Sequence, residues 1–401
     1  MTAPILAAVT FCICATTIHV VSLIIAAVRL RRNAHAERPS HDDLPAISLV
    51  RPLCGIENYN RETLASTFTL DFRRCEILFC VANATDPVVP LIDTMMAQHA
   101  GVGAQLLIGD DRISTNPKLN NVLKGWRAAK HDWIVLADSN VLLPRDYIER
   151  LFANWRDDTG LVASPPIGAQ PHGLWAELEC AFLNTYQARW QYIADAFGWG
   201  FAQGKTVLWR RGDLECAGGI EMLANEVAED AAATKIVRGA GRKVRLVDRP
   251  FPQPLGYRSA REVWYRQLRW ARLRRASFFA YYLPEALSGG ALPILALALA
   301  APMLGLPPTL SVIFLAVVWY AAETLLALAA GWHVSIRYPL VCLARDLLLP
   351  VLFVGGLFGD RFVWRGNDMQ VERLRPRALP ALNKLAPVAR RQLRSLRERM
   401  L

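Results

Sequence analysis

The chain is 401 residues long, 53% of them apolar, and carries a formal net charge of +11. That length allows one large domain plus further elements, and the apolar excess, gathered at the two ends, excludes a wholly soluble protein. The charge clusters as Arg beside the apolar segments, which suits an anionic membrane surface. No zinc-finger spacing or other nucleic-acid motif occurs, so no nucleic-acid partner is expected.

Residues 3–28 hold no Asp, Glu, Lys or Arg, and such a run exceeds the roughly 20 residues needed to cross a bilayer. The positive charge follows it as Arg29, Arg31 and Arg32, the reverse of a secretory signal. The expectation is an uncleaved anchor over 1–28, with the next domain on the cytoplasmic side of an inner membrane. A polar linker covers 29–45. From 46 to 255, apolar runs recur at Ile47–Val50, Ile77–Val81, Gln105–Ile108 and Trp133–Ala137, with helical patterns between them. Asp86-Pro87 and Asn116-Pro117 each place a capping residue before a Pro suited to the first helical position. Strand, helix, strand at this spacing predicts a parallel α/β sheet. The run Trp133–Ala137 leads straight into Asp138, which therefore emerges at a strand's carboxyl end, where ligands of open α/β sheets collect. A second block, 161–250, adds a strand at Thr206–Trp209 and a helix around 221–239.

Ser259-Ala-Arg-Glu262 has capping-box spacing and opens a helix rich in Arg and aromatics, assigned to the membrane interface over 256–285. Residues 286–331 hold two apolar runs, read as two transmembrane helices; Glu323 inside the second needs a partner or a protein-facing position. Arg345-Asp346 interrupts the next run, so 332–359 is assigned as re-entrant or interfacial. The tail 360–401 carries eleven Lys/Arg against four Asp/Glu and is placed in the cytoplasm. The eight Cys residues form no CxxC pair, which argues against a metal or disulfide framework and for free thiols. Gly204-Lys205-Thr206 is not a phosphate loop, because that motif requires Gly at 199 and the residue there is Trp.

Taken in order, the chain offers Asp86 after the second strand, Asp138 after the fourth, Glu229-Asp230 on a later helix, and Arg266-Gln-Leu-Arg269-Trp270 beside the terminal apolar runs. This order resembles the D, D, (E)D, (Q/R)xxRW pattern of lipid-directed and processive GT-A glycosyltransferases. The blocks Ile47–Gly55, Ile113-Ser-Thr-Asn-Pro-Lys-Leu-Asn-Asn121, Leu161–Pro166 and Ala228-Glu-Asp230 are similar to those of the ceramide glucosyltransferases. The resemblance implies a GT-A fold, Rossmann-like with a mainly parallel sheet, flanked by N- and C-terminal transmembrane helices. It implies a UDP-sugar donor, UDP-glucose foremost, and a membrane lipid acceptor, ceramide foremost, joined with inversion. A hopanoid or other lipid receiving N-acetylglucosamine or a hexose is the alternative, and a non-catalytic scaffold the distant one. Residue by residue, Asp86 would contact uridine, Asp138 would hold Mg²⁺ or Mn²⁺ on the diphosphate, and Asp230 would be the general base. Lys118, Arg266, Arg269 and Trp270 would line the donor site. A diphosphate leaving group asks for such cationic groups, and an alcohol nucleophile for such a carboxylate. One departure stands out: the usual DxD is Asp138-Ser-Asn140, with a neutral amide in second place. Alanines 231–233 are expected to leave room for a bulky acceptor beside Asp230.

Overall fold

The computed structural model describes residues 3–32, 39–364 and 367–370. The four apolar runs become strands β1 (Ile47–Pro52), β2 (Cys75–Val81), β3 (Ala104–Ile108) and β4 (Trp133–Ala137), which pair in parallel in the order β3-β2-β1-β4. Every residue of β1 is buried, as a strand covered on both faces requires, and this is why these strands read as continuous apolar runs rather than as alternation. The helix Pro117–Ala128 lies so close to them that a Cβ on Gly125 would stand 2.3 Å from Val50 and 2.8 Å from Cys80. Next come β5 (Thr159–Ala163), β6 (Ile167–His172), β7 (Thr206–Arg210), β8 (Lys243–Leu246) and β9 (Pro252–Tyr257). They extend the sheet to β3-β2-β1-β4-β7-β5-β8, with β7 antiparallel to both neighbours, while β6 and β9 form a separate parallel pair. The fold is the mainly parallel α/β sheet expected of a GT-A domain.

Two local features hold this sheet against the membrane helices. Residues 174–196 are helical throughout, with a π-helical stretch at Phe182–Ala188 whose Asn184 side chain pairs with Gly168 N at 2.8 Å and Gly168 O at 3.1 Å. No sequence pattern marks this helix, because all seven residues of its π stretch are buried. The N-terminal helix, Ala3–Arg32, runs past the expected boundary at 28. There Arg29 pairs with Asp195, with Asp248 at 2.9 Å, and donates to Leu246 O at 2.9 Å. The start of the expected linker is thus docked on the sheet domain; 33–38 lie outside the described residues.

The C-terminal apolar runs fold into helices of lengths that differ from the expected pattern. Tyr338–Leu357 is one continuous helix of 20 residues, long and apolar enough to cross a membrane, as are Ala3–Arg31 and Pro308–Ala329. Arg345 does not break the helix, because its guanidinium meets Glu323 in a bidentate pair at 2.8 and 2.9 Å and Asp346 at 2.6 Å, all fully buried. Charges paired in this way do not exclude a segment from the bilayer. The run 286–306 does not form one straight helix. It contains Ala291–Ala300, only about 15 Å long, which forms with Phe279–Leu287 a pair bent by 44°. The break is satisfied by Asp346, which accepts from Gly290 N at 2.6 Å. Of the expected basic tail, 371–401 lies outside the described residues.

Candidate active site

Asp138 sits where the apolar run predicts, one residue past β4. Its neighbours come from strand pairing. β7 runs antiparallel to β4 with Ala137 opposite Thr206, so Lys205 falls opposite Asp138, and Asp138 N donates to Lys205 O at 2.9 Å. The Lys205 ammonium then lies 2.9 Å from Asp138 Oδ2 and 3.1 Å from Asn140 Oδ1. The loop carrying these residues is clamped from below by Arg51 of β1, which donates to the carbonyls of Asp138, Ser139 and Val141 at 2.7, 3.2 and 3.0 Å. Burial pulls Arg51 down to about 10, still far above neutrality.

The other oxygen of Asp138 belongs to Lys118, in the first turn of the helix that Asn116 caps as expected, with its side chain accepting from Lys118 N and Leu119 N. Lys118 Nζ bridges Asp138 Oδ1 at 2.8 Å and Glu229 Oε1 at 2.7 Å, and Glu229 Oε2 accepts from Asn116 Nδ2 at 2.8 Å. Burial opposes the charge on both groups, but Asp138 and Glu229 override it for Lys118, whose pKa is raised, and the two lysines hold Asp138 well below the usual carboxylate range. For Lys205 burial wins and its pKa is lowered, despite Asp138. Gly204 is forced by this crowding: a Cβ there would stand 2.6 Å from Glu229 Oε1 and 2.7 Å from Lys118 Nζ.

Asp230 stands beside Glu229 at the N-terminus of the helix Glu229–Gly239, accepting from Gly204 N at 3.0 Å and Ala231 N at 2.8 Å. Burial, and then the neighbouring Glu229, push its pKa up to about 6. A carboxylate so tuned is suited to receive a proton near neutral pH. The RxxRW helix, Ala260–Ser277, opens with the predicted capping box at Ser259 and Glu262. Arg266 is aimed by the fully buried Glu179, 2.5 Å away, and Trp270 packs on Cys180, Leu183 and Leu255.

One cavity of about 930 Å³ joins these groups: Asp138, Lys118, Asp230, Arg266, Arg269 and Trp270 all line it. Its other wall is apolar and belongs to the membrane helices, with Phe11 and Ile18 of the N-terminal helix and Trp319. Asp86 does not line it. Its carboxylate accepts from Gly55 N at 3.0 Å and Val88 N at 2.9 Å, closing the loop after β1 onto the loop after β2. Of alanines 231–233 only Ala231 faces the cavity, while Ala232 and Ala233 pack in the core. Sequence reasoning assigned no site role to Lys205, Arg51 or Glu179, and foresaw Asn116 only as a helix cap. For Lys205 the signal was Gly204-Lys205-Thr206, set aside for want of a phosphate-loop glycine.

The expected Mg²⁺ or Mn²⁺ does not fit this arrangement. Asp138 Oδ2 and Asn140 Oδ1 converge on a single point, and Lys205 Nζ occupies it. A divalent ion at about 2.0–2.1 Å from such oxygens could not share that point with an ammonium.

With a sheet, an acidic and basic cleft and an apolar wall in one cavity, the chain has the parts of a membrane-associated group-transfer enzyme. Residues 14–375 match the Glycosyl transferase family 21 profile, and the chain belongs to that family; it is a GT-A glycosyltransferase and a membrane protein. It is similar to ceramide glucosyltransferase 3 of Caenorhabditis elegans, 24% identical over 364 residues that cover 89% of this chain and 78% of that one. Over a shorter stretch of 122 residues, 27% of this chain and 22% of the relative, it is 34% identical to the ceramide glucosyltransferase of Candida albicans. Among solved structures it is similar to a mannosyltransferase of Pyrobaculum calidifontis, with a TM-score of 0.44 and 17% identity over 87% of this chain and 97% of that one.

Proposed function

We propose that this protein transfers a sugar from a UDP-sugar, glucose from UDP-glucose foremost, to the primary hydroxyl of ceramide, with inversion, at the cytoplasmic face of an inner membrane. The observation that carries this reading is the single cavity running from Asp230 and Asp138 to the apolar wall of the N-terminal helix. A lipid alcohol reaching Asp230 through that wall keeps its tails among apolar side chains and lipid, sparing about 0.8 kcal/mol for each CH₂ otherwise moved into water.

The chemistry follows from the placement. The acceptor oxygen attacks C1 of the sugar, its proton passes to Asp230, and the bond from C1 to the diphosphate breaks. Lys118, Arg266 and Arg269 face the leaving group from the cavity wall and stabilise the charge that develops on it. Asp86, outside the cavity, braces the Gly55 loop after β1, and Trp270 lines the same wall as Arg266 and Arg269.

The test is transfer by the purified protein in detergent, read as UDP release and by mass spectrometry of the lipid product. UDP-glucose with ceramide is expected to give glucosylceramide. UDP release with another lipid alcohol but not with ceramide would move the acceptor, a hopanoid polyol being the next to try. No UDP release with any lipid alcohol would refute the transferase reading.

A further inference from the structure

We propose that Lys205 is the built-in counter-ion of the donor diphosphate: its ammonium holds the cation position between Asp138 and Asn140 and relieves the enzyme of a strict need for a divalent metal. The inference rests on the transfer reading above and deepens it.

Three independent observations lead to this residue. Its position is set by backbone register, since antiparallel pairing of β4 with β7 places 205 opposite 138, and the pairing is sealed by the Asp138 N to Lys205 O bond at 2.9 Å. Its ammonium binds both oxygens that a metal would take, at 2.9 and 3.1 Å, and faces the cavity. The residue at 140 is suited to an ammonium, not to a doubly charged ion. Asn140 Nδ2 donates to Glu57 Oε2 at 3.0 Å, which turns Oδ1 toward Lys205. An Asp at 140 would set two carboxylates against each other there, so Glu57 selects the neutral amide. One carboxylate and one amide oxygen then match a single positive charge.

The part played in the reaction needs no proton from Lys205. As the bond between C1 and the diphosphate oxygen breaks, its electron pair stays on the phosphate, which gains one negative charge; the acceptor oxygen bonds C1 and its proton goes to Asp230. The tethered ammonium neutralises the new charge at a fixed place, as pre-set cationic donors do at other leaving groups. Lys118 adds to this field but is not the counter-ion, because its ammonium is matched by two carboxylates, Asp138 and Glu229, whereas Lys205 meets one carboxylate and a neutral amide.

The test compares the unmodified protein with Lys205→Met and Lys205→Arg in detergent. Mn²⁺ binding is first titrated by electron paramagnetic resonance without sugar or lipid. Removing the ammonium is expected to tighten Mn²⁺ by at least about tenfold, since a like charge a few ångströms away is lost; misfolding could not produce such a gain. In excess chelator the unmodified protein is expected to keep most of its transfer rate. Lys205→Met falls by about 10²–10³-fold and recovers in part with Mn²⁺, while Lys205→Arg stays resistant to chelator. Equal Mn²⁺ affinity in the unmodified and Met forms overturns the proposal, and so does loss of transfer by the unmodified protein in chelator. The titration involves neither donor nor acceptor, so it decides the place of Lys205 even if the lipid reading fails.

Discussion

The protein contains two clusters of carboxylates and cations of nearly the same make-up, and their surroundings give them opposite roles. In the membrane region Glu323, Arg345 and Asp346 are fully buried. Arg345 spends its donors on both acids and on Thr185 at 2.9 Å, while Arg189 stands 3.5 Å from Glu323. Charges that saturate one another in a dry interior fix geometry and leave nothing to offer a ligand. In the cavity, Asp138, Lys118, Glu229 and Lys205 keep side-chain exposures of 14 to 19% and all face one open volume. There the same residue types remain accessible to a diphosphate and an alcohol. Accessibility, not the pairing itself, separates the working cluster from the structural one.

Substitutions can break this contrast from either side. The largest effect is expected of Asp230→Asn: transfer falls by about 10²–10⁴-fold, the range for a general base, while UDP-sugar affinity by calorimetry and the melting temperature stay near those of the unmodified protein. Loss of donor affinity instead would show that the base lies elsewhere. Arg345→Met should do the reverse. It leaves Glu323 and Asp346 buried without their main partner, a change that costs about 3–5 kcal/mol in comparable pairs. Thermal unfolding in detergent should show the loss, and unchanged melting with reduced transfer would undo the division of roles.

Gly204→Ala probes the crowding between the two halves of the working cluster. Its new methyl would press on Glu229 and Lys118, and the strain, about 1–3 kcal/mol by analogy with overpacked sites, should appear mainly as weakened UDP-sugar binding. The smallest effect concerns pH. With Asp230 pushed up to about 6, the base is ionised above that value and protonated below it. The pH profile of kcat/KM should therefore be flat above about 6 and fall tenfold per unit beneath it. Because burial first and Glu229 second raise this pKa, Glu229→Gln removes a like charge and should move the limb to lower pH by up to about one unit. A limb that stays in place, or moves upward, would detach it from Asp230.

Much of this arrangement is legible in the residue order because its causes are local. A five-residue apolar run bounded by polar residues makes a strand buried on both faces and delivers Asp138 to its carboxyl end. Asn116 before Pro117 and Ser259 before Glu262 start their helices by bonds made within three residues. What only the tertiary structure decided involves partners far apart in sequence. Lys205 meets Asp138 across 67 residues because β7 turns antiparallel, a choice that no local pattern carries. Glu323 and Arg345 lie 22 residues apart on two helices. Each alone looks like an interruption, and their contact pairs the buried charges inside helices long and apolar enough to cross a bilayer. Charge and hydropathy along the chain determined where membrane and sheet begin. Which charges would cancel, and which would be left facing a substrate, depended on long-range packing, because a charge acquires its role from the atoms that fold brings within a few ångströms of it.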